Sequence, residues 1–194
     1  MDFIDNYLKE VSQITEKLRQ DSIQHMIDEL ARLRDRKGRL FIIGVGGSAA
    51  NASHACNDFR KLALIEAYAV TDNISELTAR TNDEGWENTF RSWLKCSGMN
   101  QNDALLVFSV GGGDAERKIS LNICRAVDFA KETGTSVLSI VGRELGYVQD
   151  KSKVCVVIPP INPLMITPHS ESFQAVIWHL IVSHPQIKRE QTTW

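Results

Sequence analysis

A glycine turn near residue 45 carries the clearest chemical signal in this chain. The apolar residues 40–43 predict a buried strand, and a helix-forming segment begins after Gly44, Gly46, Gly47 and Ser48. The start of a helix presents unpaired backbone N–H groups and the positive end of the helix dipole, and glycines let an anion approach the main chain. The turn therefore predicts a binding site for an anion such as a phosphate.

The same turn differs from the common nucleotide-binding motifs. A dinucleotide fingerprint that begins at Gly44 and Gly46 needs a third glycine at position 49, where the sequence has Ala49, and the lysine of a P-loop is missing. We therefore expect no nucleotide cofactor. On this motif alone an alternative stays open, in which the glycines only reverse the chain between strand and helix.

A second strand followed by glycines occurs further along the chain. Residues 104–110 form a largely apolar run that ends in Gly111, Gly112 and Gly113. Ligands of parallel α/β sheets bind beyond the carboxyl ends of the strands. We therefore expect both glycine turns to lie at that edge of one sheet.

Helices and strands alternate along the chain. Hydrophobic periodicity predicts helices at 48–62, 74–80, 85–95, 115–133 and 170–183, and strands at 40–43, 67–70, 104–110, 136–141 and 154–158. Two amphipathic helices, with a break near 21–22, precede them within residues 3–36. Apolar strands between helices predict an α/β fold, a three-layer α/β/α sandwich with a central parallel sheet. We expect one domain over 1–194, with an α/β core at 37–194 and a helical arm at 1–36 that packs on its own sheet or on another subunit.

Composition and charge narrow the class of protein. Of the 194 residues, 43% are hydrophobic. The chain has 22 basic and 24 acidic side chains and no basic stripe, which argues against direct binding of nucleic acid. No apolar run reaches the roughly 20 residues that cross a bilayer, and residues 1–5 are acidic where a secretory signal is basic, so we expect a cytoplasmic protein without membrane contact. Cys56, Cys96, Cys124 and Cys155 are far apart and are expected to be buried thiols.

The layout and several motifs resemble the SIS (sugar isomerase) domain family, and within it the phosphoheptose isomerases. The resemblance covers nearly the whole chain and rests on the two leading helices and on five segments: GVGGSAANASH at 44–54, TNDEGWENTF at 81–90, LLVFSVGG at 105–112, TPHSE at 167–171 and VIWH at 176–179. It implies the SIS fold and an aldose–ketose isomerase that converts sedoheptulose 7-phosphate to a heptose 7-phosphate for bacterial surface polysaccharides such as lipopolysaccharide or capsule. It also implies a homotetramer with active sites between subunits, and zinc in some members.

The resemblance places a catalytic pair on two helices. The family's catalytic glutamate corresponds to Asp58, and the histidine of its last helix corresponds to His179. His54 matches a family histidine, and Glu171 stands where the family has a glutamine. His54 and Asp58 share a helix face at i and i+4, while Glu171 and His179 differ by about 80° around their helix. A carboxylate with an imidazole can move a proton between neighbouring carbons, and the four residues together are a plausible ligand set for zinc: His54, Asp58, Glu171 and His179.

The glycine turns and the resemblance together give a set of substrate-binding residues. The set consists of Gly46, Gly47, Ser48, Asn51, Asn82, Asp83, Ser109, Gly111, Gly112, Asp114 and Glu171. After the strand that corresponds to 104–110, the family has a run of serines and threonine, whereas this chain has glycines and Asp114. That carboxylate repels an anion unless Arg117 or Lys118 intervenes; alternatively it caps the next helix or binds a sugar hydroxyl.

Other interpretations stay open at the level of sequence. A noncatalytic SIS module that binds a phosphosugar as a regulator or assembly partner fits the loss of the serine run, and an isomerase of another phosphosugar is equally compatible. His179 in an apolar helix is also typical of a hydrogen-bonded core residue, and His54 with Asp58 is also typical of a solvated surface pair. Trp86, Phe90 and Trp93 have helical spacing and are predicted to lie in the core.

Overall fold

The computed structural model describes residues 2–191. The helices are α1 Phe3–Lys17, α2 Gln20–Asp35, α3 Gly47–Ala63, α4 Ile74–Glu84, α5 Thr89–Cys96, α6 Leu121–Glu132, α7 Tyr147–Lys151 and α8 Ile166–Ser183. The strands are β1 Leu40–Ile43, β2 Ala67–Ala69, β3 Ala104–Ser109, β4 Ser136–Val141 and β5 Val154–Val157. None of the helices in this part of the chain has the length and apolar character needed to span a membrane.

The five strands form one parallel sheet in the order β2-β1-β3-β4-β5. Neighbouring residues of β1 belong to two separate hydrophobic clusters, one on each face of the sheet. Ile42 packs with residues of α2, α3 and α8, whereas Phe41 packs with residues of α5 and α6. Helices therefore cover both faces of the sheet, which is why β1 is apolar throughout and β3 is apolar up to Phe108. The predicted three-layer α/β/α architecture is confirmed.

The two leading helices have different environments. Helix α2 buries an apolar face that includes Met26 and Leu30 against the sheet core. Helix α1 buries only Ile14 fully, whereas Phe3 and Leu8 are 65% and 59% exposed. Helix α2 therefore packs on the sheet of its own chain. The first turns of α1 have an apolar face that none of the residues 2–191 covers.

The largest difference from the predicted elements lies after the second glycine turn. Helix α6 begins at Leu121 and not at 115, because Asp114 and Ile119 exchange backbone hydrogen bonds of 3.0 and 2.9 Å and close a tight loop. Lys118 and Ser120 have φ values of 58° and 50°, which a right-handed helix does not tolerate. Asp114 is therefore not the cap of α6, and that alternative is wrong.

Smaller corrections concern single residues and short elements. Helix α7 was not predicted, because five residues give too little periodicity to recognise. Trp86 is 42% exposed, so the prediction of a core residue is wrong there, although Phe90 is fully buried. Cys96 is exposed, which contradicts its assignment as a buried thiol; Cys56 and Cys124 are buried as predicted.

Candidate active site

Both glycine turns lie at the same edge of the sheet. Strands β1 and β3 are parallel neighbours in which Ile43 pairs with Val107, so the turns that follow them are adjacent. Gly46 has φ +63° and ψ −128°, a conformation that residues with a side chain rarely adopt. A Cβ on Gly44 would lie 2.4 Å from the carbonyl oxygen of Ser48, so the helix packs directly on this glycine.

At this edge of the sheet, the first turns of α3 contact the first turns of α8. A Cβ on Gly47 would lie 2.4 Å from Oε2 of Glu171, so the Glu171 carboxylate covers the first residue of α3. The amide of Asn51 donates to the Glu171 carbonyl at 2.9 Å and to Oε1 of Gln174 at 3.0 Å. Ser48 is 1% exposed, and its Oγ has no hydrogen-bond partner within residues 2–191. Asn51 therefore binds the two helices together, and Ser48 holds an unused hydroxyl at the turn.

The second glycine turn is closed by its own side chains. Oγ of Ser109 accepts a hydrogen bond from the backbone N–H of Gly112 at 3.0 Å. Oδ1 of Asp114 accepts from the backbone N–H of Arg117 at 2.9 Å, and Oδ2 lies 3.7 Å from Nε of Arg117. Gly111 has open space where a side chain would be. The Asp114 charge is therefore paired locally with a cation of the same loop.

Asn82 and Asp83 occupy the exposed last turn of α4. The Asn82 amide donates to Oδ1 of Asp83 at 2.8 Å. In the part of the chain described, neither side chain forms a hydrogen bond with a predicted site residue outside this pair. The structure thus shows these two residues as a local surface pair.

A histidine–aspartate cluster, composed of His54, Asp58 and His179, lies where α3 and α8 pack together. One potential ligand atom from each of the three residues lies within 4.8 Å of the others. Oδ2 of Asp58 is 3.6 Å from Nε2 of His179 and 3.9 Å from Nε2 of His54. The Asp58 side chain is 13% exposed, whereas those of His54 and His179 are 59% and 50% exposed. The cluster thus has a sheltered carboxylate between two accessible imidazoles.

The orientation of His179 is fixed by its own helix. Nδ1 of His179 lies 2.8 Å from the carbonyl oxygen of Ala175, and because a carbonyl only accepts, this nitrogen carries the proton. The other ring nitrogen, Nε2, faces Asp58. Trp178 is fully buried beside it and contacts His54 edge-on, with ring centroids 4.6 Å apart. A half-exposed His179 contradicts its interpretation as a core residue.

The cluster meets the basic requirements of a zinc site. Two imidazole nitrogens and one carboxylate oxygen are the ligand types that zinc prefers, and three protein ligands with an open position are typical of catalytic zinc. The hydrogen bond from Nδ1 of His179 to a carbonyl is the kind of outer contact that orients a ligating histidine. His54, Asp58 and His179 could therefore hold a zinc ion.

Glu171 lies apart from the cluster in the folded chain. It precedes His179 by eight residues on α8, which is about 12 Å along a helix axis. Its carboxylate lies at Gly47, at the glycine edge of the sheet. Of the four residues predicted as metal ligands, the structure brings three together.

The sequence analysis missed one buried polar network near this edge. Nε2 of His169 lies 2.8 Å from Oε2 of Glu10 on α1, and the amide of Asn162 donates to Oε1 of the same carboxylate at 2.7 Å. The hydrogen bond with His169, followed by that with Asn162, lowers the pKa of Glu10. These residues are far apart in sequence, so no spacing pattern could have revealed the contact that holds α1 to α8.

Comparison with known proteins identifies the family. Residues 2–142 match the SIS domain model, and the chain belongs to the SIS domain family. The lincomycin biosynthesis protein LmbN of Streptomyces lincolnensis is 30% identical over 190 residues, covering 92% of this chain and 67% of that protein. A phosphoheptose isomerase of Helicobacter pylori is 26% identical over 167 residues, covering 84% of this chain and 81% of the relative.

The fold comparison agrees with the family. The structure of a phosphoheptose isomerase from Neisseria gonorrhoeae superposes with a TM-score of 0.80 at 23% identity, covering 92% of this chain and 94% of the other. This confirms the SIS fold that the sequence predicts. The family match and the relatives named phosphoheptose isomerase together identify the chain as an isomerase of the SIS family.

Proposed function

We propose that the chain is an aldose–ketose isomerase of a sugar phosphate, with sedoheptulose 7-phosphate as the first candidate substrate and a heptose 7-phosphate as product. The histidine–aspartate cluster is the observation that carries this proposal. It combines a sheltered carboxylate with an oriented imidazole at 3.6 Å, and relatives named phosphoheptose isomerase support the choice of sugar. The product would supply heptose for bacterial surface polysaccharides.

The proposed chemistry moves one proton between neighbouring carbons. The Asp58 carboxylate takes the proton from the carbon next to the carbonyl and returns it to the former carbonyl carbon. His179, whose Nε2 lies 3.6 Å from the same carboxylate, moves the proton between the two oxygens. The partial shelter of Asp58, which is 13% exposed, keeps competing water away from the carboxylate.

A zinc ion is proposed as a second component of the cluster. His54, Asp58 and His179 would hold it, and a bound zinc would polarise the sugar carbonyl. One Asp58 oxygen cannot bind zinc tightly and act as a strong base at the same moment. Metal content and activity of the same variants therefore have to be measured together.

We also propose that the active site is completed between subunits of a homotetramer. Asp58 follows Gly47 by eleven residues on α3, which is about 16 Å along the helix. From carbonyl carbon to phosphorus, a seven-carbon sugar phosphate spans at most about 10 Å at about 1.5 Å per bond. A substrate on the first glycine turn of one chain therefore does not reach Asp58 of that chain, which supports a cluster supplied by a second copy.

The proposal is tested by isomerisation of sedoheptulose 7-phosphate by the purified protein, with and without added zinc. His179→Ala is expected to abolish turnover, and His25→Ala, an exposed histidine on α2, is the matched control that keeps it. Absence of turnover by the unmodified chain under all conditions would favour a noncatalytic phosphosugar-binding module or a different substrate. Activity that survives His179→Ala would show that the cluster is not the catalytic site.

A further inference from the structure

The second glycine turn is held in place by the short helix α7. The N–H of Gly112 donates to Oγ of Ser109 at 3.0 Å, and the carbonyl oxygen of Gly112 accepts from the N–H of Val148 at 3.0 Å. A Cβ on Gly146 would lie 3.2 Å from the carbonyl oxygen of Gly111, so the chain that leads into α7 packs directly on the main chain of the turn. The position of the turn therefore depends on the position of α7.

Helix α7 depends on its neighbours for its own position. It has five residues, and a helix of this length is unstable by itself in water. Val148 is buried in the core, and two polar side chains of α7 contact Asp128 of α6. The Tyr147 hydroxyl donates to the two carboxylate oxygens of Asp128 at 2.7 and 2.8 Å. Nζ of Lys151 lies 2.5 Å from Oδ1 of Asp128 and 2.7 Å from the Tyr147 hydroxyl oxygen, so the three side chains form a closed tyrosine–aspartate–lysine network.

The direction of the hydrogen bonds in this network is fixed. Burial raises the pKa of Tyr147, so at neutral pH its hydroxyl keeps the proton that it donates to Asp128. The ammonium group of Lys151 only donates. The side chains of Lys151 and Asp128 are 33% and 36% exposed, so water surrounds them only in part. Because hydrogen bonds to charged groups are about twice as strong as neutral ones, the network is a strong connection between α6 and α7.

The network lies behind the turn and acts on it through the main chain. Tyr147 fixes α7, and the N–H of Val148 in α7 fixes the carbonyl of Gly112. We propose that Tyr147, together with Asp128 and Lys151, is a positioning residue for the second glycine turn and thereby sets the affinity of that turn for the anionic group of the substrate. The inference rests on the proposed function, because it needs the turn to bind part of a sugar phosphate.

The first measurement is hydrogen exchange, followed by mass spectrometry, in the unmodified protein, Tyr147→Phe and Tyr68→Phe. The Tyr68 hydroxyl also donates to a carboxylate, that of Glu66 at 2.7 Å, so Tyr68→Phe is the matched control. In Tyr147→Phe we expect the peptides that contain Gly112 and Val148 to exchange about tenfold faster, because one hydrogen bond to a charged group changes an equilibrium by about this factor. Exchange within β3 is expected to stay as it is in the unmodified protein.

The second measurement is calorimetric titration of the same proteins with inorganic phosphate as the probe. A turn that spends less time in its binding position binds more weakly in proportion. We therefore expect the dissociation constant to rise about threefold or more in Tyr147→Phe and to stay unchanged in Tyr68→Phe. Asp128→Ala removes the acceptor of the same hydrogen bond and should have the same effect. Combining it with Tyr147→Phe should add little, because residues of one network are not independent.

Several results would overturn the inference. Unchanged exchange at Gly112 and Val148 in Tyr147→Phe would show that the network does not hold the turn, and equally faster exchange in β3 would show a general loss of stability. Faster exchange with unchanged phosphate affinity, or an unmodified protein that binds no phosphate, would show that the position of the turn does not set anion binding. Hydrogen exchange needs neither ligand nor turnover, so these results are distinct from a failure of the isomerase proposal, which the activity assay reports separately.

Discussion

Replacement of Asp58 by asparagine removes the proposed base while keeping its shape. The side chain is 13% exposed and lies 3.6 Å and 3.9 Å from the nearest nitrogens of His179 and His54, so an amide of the same size fits without repacking. Loss of a general base lowers kcat by about 10²- to 10⁴-fold, which is about 3 to 5 kcal/mol of transition-state stabilisation. We expect this loss in the steady-state rate of isomerisation, with little change in thermal unfolding.

A longer carboxylate at the same position gives the complementary test. The 3.6 Å between Oδ2 of Asp58 and Nε2 of His179 exceeds a normal hydrogen bond. Asp58→Glu adds one methylene, about 1.5 Å of reach, so we expect this variant to keep activity. Asp72→Asn, at an exposed aspartate, is the control for removal of a negative charge. If Asp58→Asn keeps more than a tenth of the wild-type kcat, the reasoning about the base is refuted.

The metal content of the same variants separates the two roles of Asp58. A base that is not a ligand leaves zinc stoichiometry unchanged in Asp58→Asn, with activity still lost. A ligand that is not the base gives a variant with reduced zinc content whose activity recovers at high zinc concentration. Zinc content and activity of Asp58→Asn distinguish the two roles because asparagine keeps an oxygen that binds zinc only weakly.

Three further predictions concern other parts of the molecule. Asp103 is 3% exposed at its side chain and pairs with Arg39 at 2.8 Å, so Asp103→Ala should lower the free energy of unfolding by about 3 to 5 kcal/mol in urea titrations; a loss below 1 kcal/mol would contradict a buried pair. Burial raises the pKa of Cys56 to about 12, so at pH 8 only about one thiol in 10⁴ is ionised. Exposed Cys96 should therefore be alkylated first, and equal labelling by mass spectrometry would contradict this. Leu8→Glu on the uncovered face of α1 should lower the mass measured by light scattering if that face lies between subunits, whereas Lys9→Glu should not.

The α/β architecture can be predicted from the order of residues. The strand residues 40–43 and 104–108 are apolar at every position, and only a sheet covered on both faces explains that pattern. Glycines after two such strands predicted two turns at one sheet edge, and the parallel register of β1 and β3 places them side by side. These features depend on local periodicity and on the chain directions of a parallel sheet, so the order of residues is sufficient to predict them.

The contacts between side chains of the site follow from the folded arrangement of the helices and cannot be predicted from sequence patterns. Glu171 and His179 lie on one helix, yet the folded chain directs Glu171 to Gly47 and His179 to Asp58. The start of α6 moved to Leu121 because a backbone pairing between Asp114 and Ile119 closes a loop that residue propensities do not encode. Such contacts join residues distant in sequence, or need positive φ angles, and their energies come from packing between elements and not from the pattern within any one of them.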